Sequence, residues 1–387
     1  MMMTTTMTTT PRRWTCAAAM ALAGLVMVGC ASGPDKPKPT PLEAFTPKVP
    51  GRQLWTKRIG DVALPLSIAV HGSSLTVAND GGEVMSLEAD TGRELWRASV
   101  GEKLSAGVGS DGRIAAVVSR DNELIVLDAG KPTWRQRLPS RVVTAPLVAG
   151  ERVFVMGIDR NVQAFDAFDG RKLWSYQKAS EALTLAQPGV LVPFKDTLLV
   201  GQGSRLVGLD PTLGTVRWEP SMATPRGTNE VERLADLVGP AGRAGDIVCA
   251  RAFQSAVACV NAERGSLMWT RNAGGTDGVA TDEQLVFGAD ASDRATAWRV
   301  SDGSVAWTLE RLLYRGLTAP LSVPFGNVNA FVVGDSEGMV HWLSRDAGAT
   351  LLRMPTDGSV IRATPVKVGV ITVVLTSEGG LFAFRTE

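Results

Sequence analysis

Six tryptophans, Trp96, Trp134, Trp174, Trp218, Trp269 and Trp307, each stand four positions after a glycine: Gly92, Gly130, Gly170, Gly214, Gly265 and Gly303. The intervals between the tryptophans are 38, 40, 44, 51 and 38 residues. A period near 40 with strand and turn signals inside each interval marks a ring of four-stranded blades. The spacing therefore specifies an all-β chain, a β-propeller.

Each unit reads as an apolar entry strand, a second strand, a polar turn, a third strand, and then Asp/Asn-x-x-x-Gly-x-x-x-Trp. In the third, Ala145-Pro146-Leu147-Val148 enters and Arg152–Met156 follows. Asp159-Arg160-Asn161 turns, Val162–Asp166 returns, and Asp169-Gly170 leads to the outer strand at Trp174. Alternating apolar residues predict half-buried strands. The glycine supplies the backbone freedom of a tight turn, and the indole fills the gap between neighbouring blades with its N–H on a backbone carbonyl.

A seventh unit is degenerate, with Leu352 in the tryptophan slot after Gly348. Beyond it, Ile371–Leu375 and Leu381–Phe384 supply inner strands, and the chain stops before an outer one. The segment Gly51-Arg52-Gln53-Leu54-Trp55 is an outer strand without a blade. Pairing the two ends closes a ring of eight blades over residues 51–387 (seven, if the degenerate unit forms none) and leaves few free sheet edges.

The first fifty residues are of another kind. Arg12 and Arg13 precede a twelve-residue apolar run, Ala17 to Val28, too short to cross a bilayer. It ends at Met27-Val28-Gly29-Cys30, which resembles the lipobox of bacterial lipoproteins. Residues 1–29 are thus expected to be a signal peptide and Cys30 the lipidated residue. Residues 31–50 carry six prolines and read as a flexible linker between a lipid anchor and the folded body. By the same resemblance, Ala31 and Ser32 after the cysteine imply export to the outer membrane, with the body facing the periplasm.

Hydrophobic residues make up 44% and charged residues 20%, and the net charge is +1. Without a basic stripe or tail, nucleic-acid binding has no electrostatic basis. Catalytic chemistry is thinly supplied. The two histidines, His71 and His341, fall in different units, so neither a metal site nor a Ser-His-Asp constellation is expected. Gly334-Asp335-Ser336-Glu337-Gly338 reads as a hairpin turn, since a phosphate cradle needs a following helix. Cys249 and Cys259 lie on adjacent predicted strands. A two-residue turn would set them on opposite faces and an odd-length loop would align them, so a disulfide is left open.

Two loops depart from the repeat. Glu219–Asp236 stretches the longest interval, with Thr228 and Asn229 placed to cap a helical turn through Leu234. Ser180–Pro188 sets Leu183 and Leu185 at alternate positions. These leucines either tuck onto the nearest blade or form an exposed apolar patch for a partner.

The repeats resemble the quinoprotein-type propellers, which include quinone-dependent dehydrogenases. That resemblance would imply a periplasmic enzyme or quinone-binding propeller, but the chain lacks the adjacent cysteines and the acidic and amide calcium ligands of those enzymes. A propeller alone does not confer the activity. From Trp55 to Arg385 the chain is more similar to the BamB family of outer-membrane lipoproteins. The stretches that carry this likeness are Leu183-Thr184-Leu185, Gly227–Asp236, Leu312–Pro320 and Val333–Trp342. The likeness implies a non-enzymatic scaffold without a cofactor that binds the periplasmic POTRA domains of a BamA-like subunit and aids insertion of β-barrel proteins. Leu183 and Leu185 would be its apolar anchors, with Arg233 and Asp236 as polar partners beside them. The family often carries an arginine where this chain has Ala186 and a second acidic residue where it has Val238. Pairing of outer strands with nascent barrel strands is the lesser expectation.

Overall fold

The computed structural model describes residues 37–62, 67–178, 183–325 and 328–386. The expected signal peptide, Cys30 and the first residues of the linker lie outside them, as do residues 179–182 of the loop before Leu183. The described residues form eight four-stranded antiparallel sheets and no helix. The first sheet joins β2 (Ala69–His71), β3 (Ser74–Ala78), β4 (Glu83–Glu88) and β5 (Glu94–Ser99) in sequence order, and the next six repeat that meander. The eighth adds β1 (Gly51–Arg58) to β30 (Val366–Val368), β31 (Ile371–Leu375) and β32 (Gly380–Thr386). Gly51 stands opposite Thr386 and Arg58 opposite Gly380, so the two ends of the chain close the ring in one blade. The fold is an eight-bladed β-propeller. Closure does not remove every edge: each sheet still ends on an outer strand, one as short as β17 (Val216–Trp218).

Burial follows position in the blade. The central strand β7 (Ile114–Ser119) is buried at all six positions, whereas the outer β5 alternates half-buried and exposed. Central strands are covered on both faces by neighbouring blades and so read as apolar runs. The predicted two-residue alternation holds for outer strands such as β5.

The Gly-x-x-x-Trp repeat is a rivet between consecutive blades. Gly170 has φ of 74°, and a Cβ placed on it would lie 2.6 Å from the Trp134 indole. Trp134 Nε1 donates to the Ala167 carbonyl at 2.9 Å, just ahead of that glycine. The same close approach pairs Trp55 with Gly92, Trp96 with Gly130, Trp174 with Gly214, Trp218 with Gly265, Trp269 with Gly303 and Trp307 with Gly348. The glycine thus meets two demands at once: a left-handed turn, and bare space for the preceding blade's indole. In the degenerate unit, Leu352 packs against Gly51 and continues the pattern with a smaller side chain.

Where the sequence predicts a flexible linker up to residue 50, the structure has a strap from Thr40 onward. Thr40 N–H donates to Leu313 at 3.0 Å and Lys48 N–H to Leu351 at 2.9 Å. Arg315 and Arg353 donate to the carbonyls of Thr40 and Glu43, each at 3.0 Å. Arg353 also lies over the Phe45 ring at 4.9 Å, and Leu42 and Val49 pack on buried clusters. Prolines at 41, 47 and 50 lack an N–H, but Thr40 and Lys48 keep theirs and use them. Proline content alone does not make a segment a free spacer.

Candidate functional site

The two irregular loops meet on one face made by three consecutive blades. The segment holding Leu183 and Leu185 connects β13 (Lys172–Tyr176) to β14 (Leu191–Phe194). The longer loop connects β17 to β18 (Leu237–Ala244). Between them stands Arg160, in the turn from β11 (Arg152–Met156) to β12 (Val162–Asp166). Its backbone sits at φ of 62°, a region usually left to glycine or asparagine. That turn aims the guanidinium across the neighbouring blade.

Asp236 holds the three pieces together. Its Oδ1 is 2.7 Å from Arg160 Nη2, and its Oδ2 accepts the Leu185 N–H at 2.9 Å. Arg160 also donates to the Leu183 carbonyl at 3.4 Å, while its own carbonyl accepts from Gln202 at 3.0 Å. Both charged side chains are only 13% exposed. Farther along the first loop, Gln187 Nε2 donates to Thr276 at 2.6 Å and Gly189 bridges to Val238. From Leu183 to Gly189 the loop is therefore held at several points.

Leu183 and Leu185 are half-buried on opposite sides of this ion pair. Leu183 lines a cleft of about 190 Å³ with Arg205, Arg233 and Leu234. Leu185 lines a cavity of about 30 Å³ with Val143, Met156 and Leu237. Arg160 and Asp236 contribute to both and form the wall between them. The four residues named from the sequence are thus brought to one face. Asp236, however, spends its carboxylate inside the protein. It positions the leucines and presents little charge to a partner.

Two further positions differ in kind. Ala186 is exposed, so the side chain missing there leaves open surface. Val238 is buried beneath the Gly189 bridge, where an unpaired carboxylate would be costly. The helical turn predicted after Thr228 and Asn229 is a single turn. Asn229 Oδ1 accepts the Glu232 N–H at 2.9 Å, and the Glu232 carboxylate accepts the Thr228 N–H at 2.7 Å. So few residues cannot propagate a helix. At its crest Val231 is 71% exposed, an apolar group that strand and turn patterns do not single out.

The cysteine question has a geometric answer. The connection between β19 (Ile247–Ala252) and β20 (Ala256–Asn261) has three residues, with Gln254 at φ of 51°, so Cys249 faces Cys259 directly. The two form a disulfide within the sheet that follows the longer loop.

Titratable groups elsewhere are absorbed by the fold. His341 Nε2 lies 2.9 Å from Asp335 Oδ2, which also accepts from Arg315 Nε at 2.7 Å. Asp335 further accepts the Met339 N–H at 2.8 Å, within the predicted hairpin turn. His71 is exposed at the end of β2, just before the turn. Burial pushes the Arg251 guanidinium down to about 10, although Asp277 and Asp290 oppose it. Among the described residues no cluster of His, Cys, Asp or Glu has the form of a metal site.

The family model described as outer membrane protein assembly factor BamB matches residues 43–103 and 80–309. An outer membrane protein assembly factor BamB of Burkholderia pseudomallei is 36% identical over 379 residues, covering 97% of this chain and 98% of the relative. The chain belongs to the BamB family. Among solved structures, BamB from Moraxella catarrhalis superposes with a TM-score of 0.77 at 23% identity, covering 87% of this chain and 99% of that one. The quinohemoprotein alcohol dehydrogenase of Comamonas testosteroni aligns with a TM-score of 0.63 at 15% identity, covering 87% of this chain and 76% of the dehydrogenase. That likeness shows the fold alone. BamB membership makes this chain an outer membrane protein assembly factor, outer-membrane-associated and periplasmic, and not an enzyme.

Proposed function

We propose that the chain is a lipid-anchored scaffold, held by Cys30, that binds the periplasmic POTRA domains of a BamA-like subunit through the face bearing Leu183 and Leu185. The observation that carries this reading is the Asp236 bracket. Two loops 51 residues apart are fixed together by one carboxylate, which a pair of idle connections would not need. Fixing them in advance lowers the ordering cost of association. A rigid ring then presents Leu183, Arg233 and the exposed Val231 as one surface and orients the membrane subunit for incoming barrel strands. Exposed outer-strand edges offer a second contact for those strands, through backbone pairing.

Capture of the tagged full-length chain from solubilised outer membranes tests the reading. Co-purification of the BamA-like subunit from wild-type cells, and its loss with Leu183→Glu, is the expected result. Recovery of other envelope proteins without any barrel-assembly subunit would refute it. Loss of membrane association in Cys30→Ser tests the anchor separately.

A further inference from the structure

Arg251, on β19, is fully buried, and its Nε and Nη2 have no hydrogen-bond partner among the described residues. Asp277 and Asp290 lie near enough to act on its charge, but neither forms an ion pair with it. A buried guanidinium left half unsatisfied works against folding. Two glycines nevertheless make room for it. A Cβ on Gly275 would lie 2.5 Å from Nη1, and one on Gly288, in β23 (Leu285–Ala289), 2.6 Å from Nη2. What the side chain holds is a loop. Nη1 donates to the Ala273 carbonyl at 3.0 Å and to that of Gly274, in the connection from β21 (Ser266–Asn272) to β22 (Ala280–Thr281). That connection belongs to a closed circuit of hydrogen bonds at the docking face. The Leu185 N–H donates to Asp236 Oδ2, and the Asp236 carbonyl accepts from the Phe253 N–H, both at 2.9 Å. The Gly275 carbonyl accepts the next N–H, that of Gln254, at 2.9 Å. The Thr276 carbonyl accepts from Gln187 Nε2 at 2.6 Å, which returns the circuit to the loop where it began.

We propose that Arg251 is a positioning residue for partner binding. By fixing the Ala273 and Gly274 carbonyls it sets the Thr276 carbonyl in place, and Gln187 uses that carbonyl to hold the Leu185 end of the docking loop. The inference rests on the docking reading above and extends the support of that face to the entry of the next blade, at β22. A loop with two adjacent glycines, Gly274 and Gly275, orders itself poorly, because glycine loses the most backbone freedom on folding. The Gln254 N–H gives this loop one bond, and the guanidinium gives it two more. A charged donor holds a carbonyl more firmly than a neutral one, and water is absent here to compete. A face ordered before its partner arrives binds at a lower entropic cost. Arg251 thus trades some stability of the ring for preorganisation of the face.

The test measures melting temperature, hydrogen exchange at the 183–187 peptide, and binding of the purified full-length chain to the periplasmic domains of the BamA-like subunit. In Arg251→Met the melting temperature stays at or above that of the wild type, since an apolar chain replaces a half-satisfied buried cation. Binding weakens by about tenfold as preorganisation is lost. The Leu185 amide exchanges at least about threefold faster. Gln187→Leu removes the donor at the other end of the same path and gives both losses. The double variant loses no more affinity than either single one, because the two residues act through one path. Arg251→Lys keeps a cationic donor for the carbonyls and regains most of the affinity. Wild-type affinity and exchange in folded Arg251→Met, alongside lost binding in Leu183→Glu, would overturn this proposal alone. So would an affinity that falls only in step with the melting temperature, which would assign Arg251 to the ring. If Arg251→Met does not fold, Gln187→Leu decides by the same readings. A wild-type chain that does not bind at all would overturn the docking reading and this proposal with it.

Discussion

Arg160 Nη2 lies 2.7 Å from Asp236 Oδ1, across 76 residues of sequence and between non-adjacent blades. The pair converts two loops into one surface: Asp236 reads the Leu185 backbone with its second oxygen, and Arg160 reads that of Leu183. An ion pair this enclosed is sensitive to removal of one partner, because the other is left without compensation.

Arg160→Ala is expected to free the Leu183 loop while leaving the ring intact. The Leu185 amide should exchange with solvent at least about tenfold faster, as local opening becomes cheaper. Thermal unfolding of the whole chain should shift by only a few degrees, roughly 1–3 kcal/mol of stability. Hydrogen exchange read by mass spectrometry at the 183–187 peptide checks both statements.

The inter-blade rivet predicts a contrast between two glycines. Gly170→Ala places a Cβ 2.6 Å from the Trp134 ring at φ of 74°. Gly150→Ala has the same left-handed strain at φ of 57° but nothing within 4 Å. Chemical denaturation should show a loss of about 1 kcal/mol for Gly150→Ala, from strain alone. For Gly170→Ala the loss should be about 2–4 kcal/mol, because overpacking adds to it. Equal losses would mean that the glycine serves the turn and not the indole.

Both cysteines of the disulfide are fully buried. A thiol reagent should therefore label neither in the native protein, even with reductant present. After unfolding in reductant both should react. The Cys249→Ser/Cys259→Ser double variant should lose about 2–3 kcal/mol, the value expected for cross-linking a loop of this length. Folded variant of undiminished stability would show that the sheet does not use the bond.

Acid should weaken the ring through the blade that carries the strap. Burial pushes His341 below its ordinary 6.5, although Asp335 opposes the shift. Burial tends to raise Asp335, but its hydrogen bonds from His341, Met339 and Arg315 outweigh this and hold it below the ordinary 3.8. At both groups the unfolded chain binds protons more readily than the folded one, so stability rises with pH. It should be lost as pH falls below about 6.5 through His341, and further below about 4 through Asp335. Urea midpoints from pH 7.5 down to about 2.5 check this. His341→Gln should remove the upper part of the slope and leave the lower part.

The ring was legible in the sequence because its signal is periodic. A glycine and a tryptophan at fixed spacing report a contact repeated around the circle, so even Leu352 in the last slot could be placed by its position. The closing strand at Trp55 was legible for the same reason. The candidate site was readable only in its loops. Leu183, Leu185, Arg233 and Asp236 stand in segments that break the repeat, whereas Arg160 sits inside a regular hairpin turn and looks like any polar turn residue. Its role depends on a contact across 76 residues, which no local pattern encodes. The strap was hidden by a different cause. Its prolines announce an extended chain, but not whether that chain lies in solvent or along a blade.

The most direct test is the affinity of the BamA-like subunit's periplasmic domains for the wild-type chain and for Leu183→Glu, measured by titration calorimetry. A charge set in the apolar part of the face should weaken binding by about 100-fold or more, the scale of a buried anchor residue, with the melting temperature unchanged. Wild-type affinity in a folded Leu183→Glu protein would show that the partner docks elsewhere on the ring.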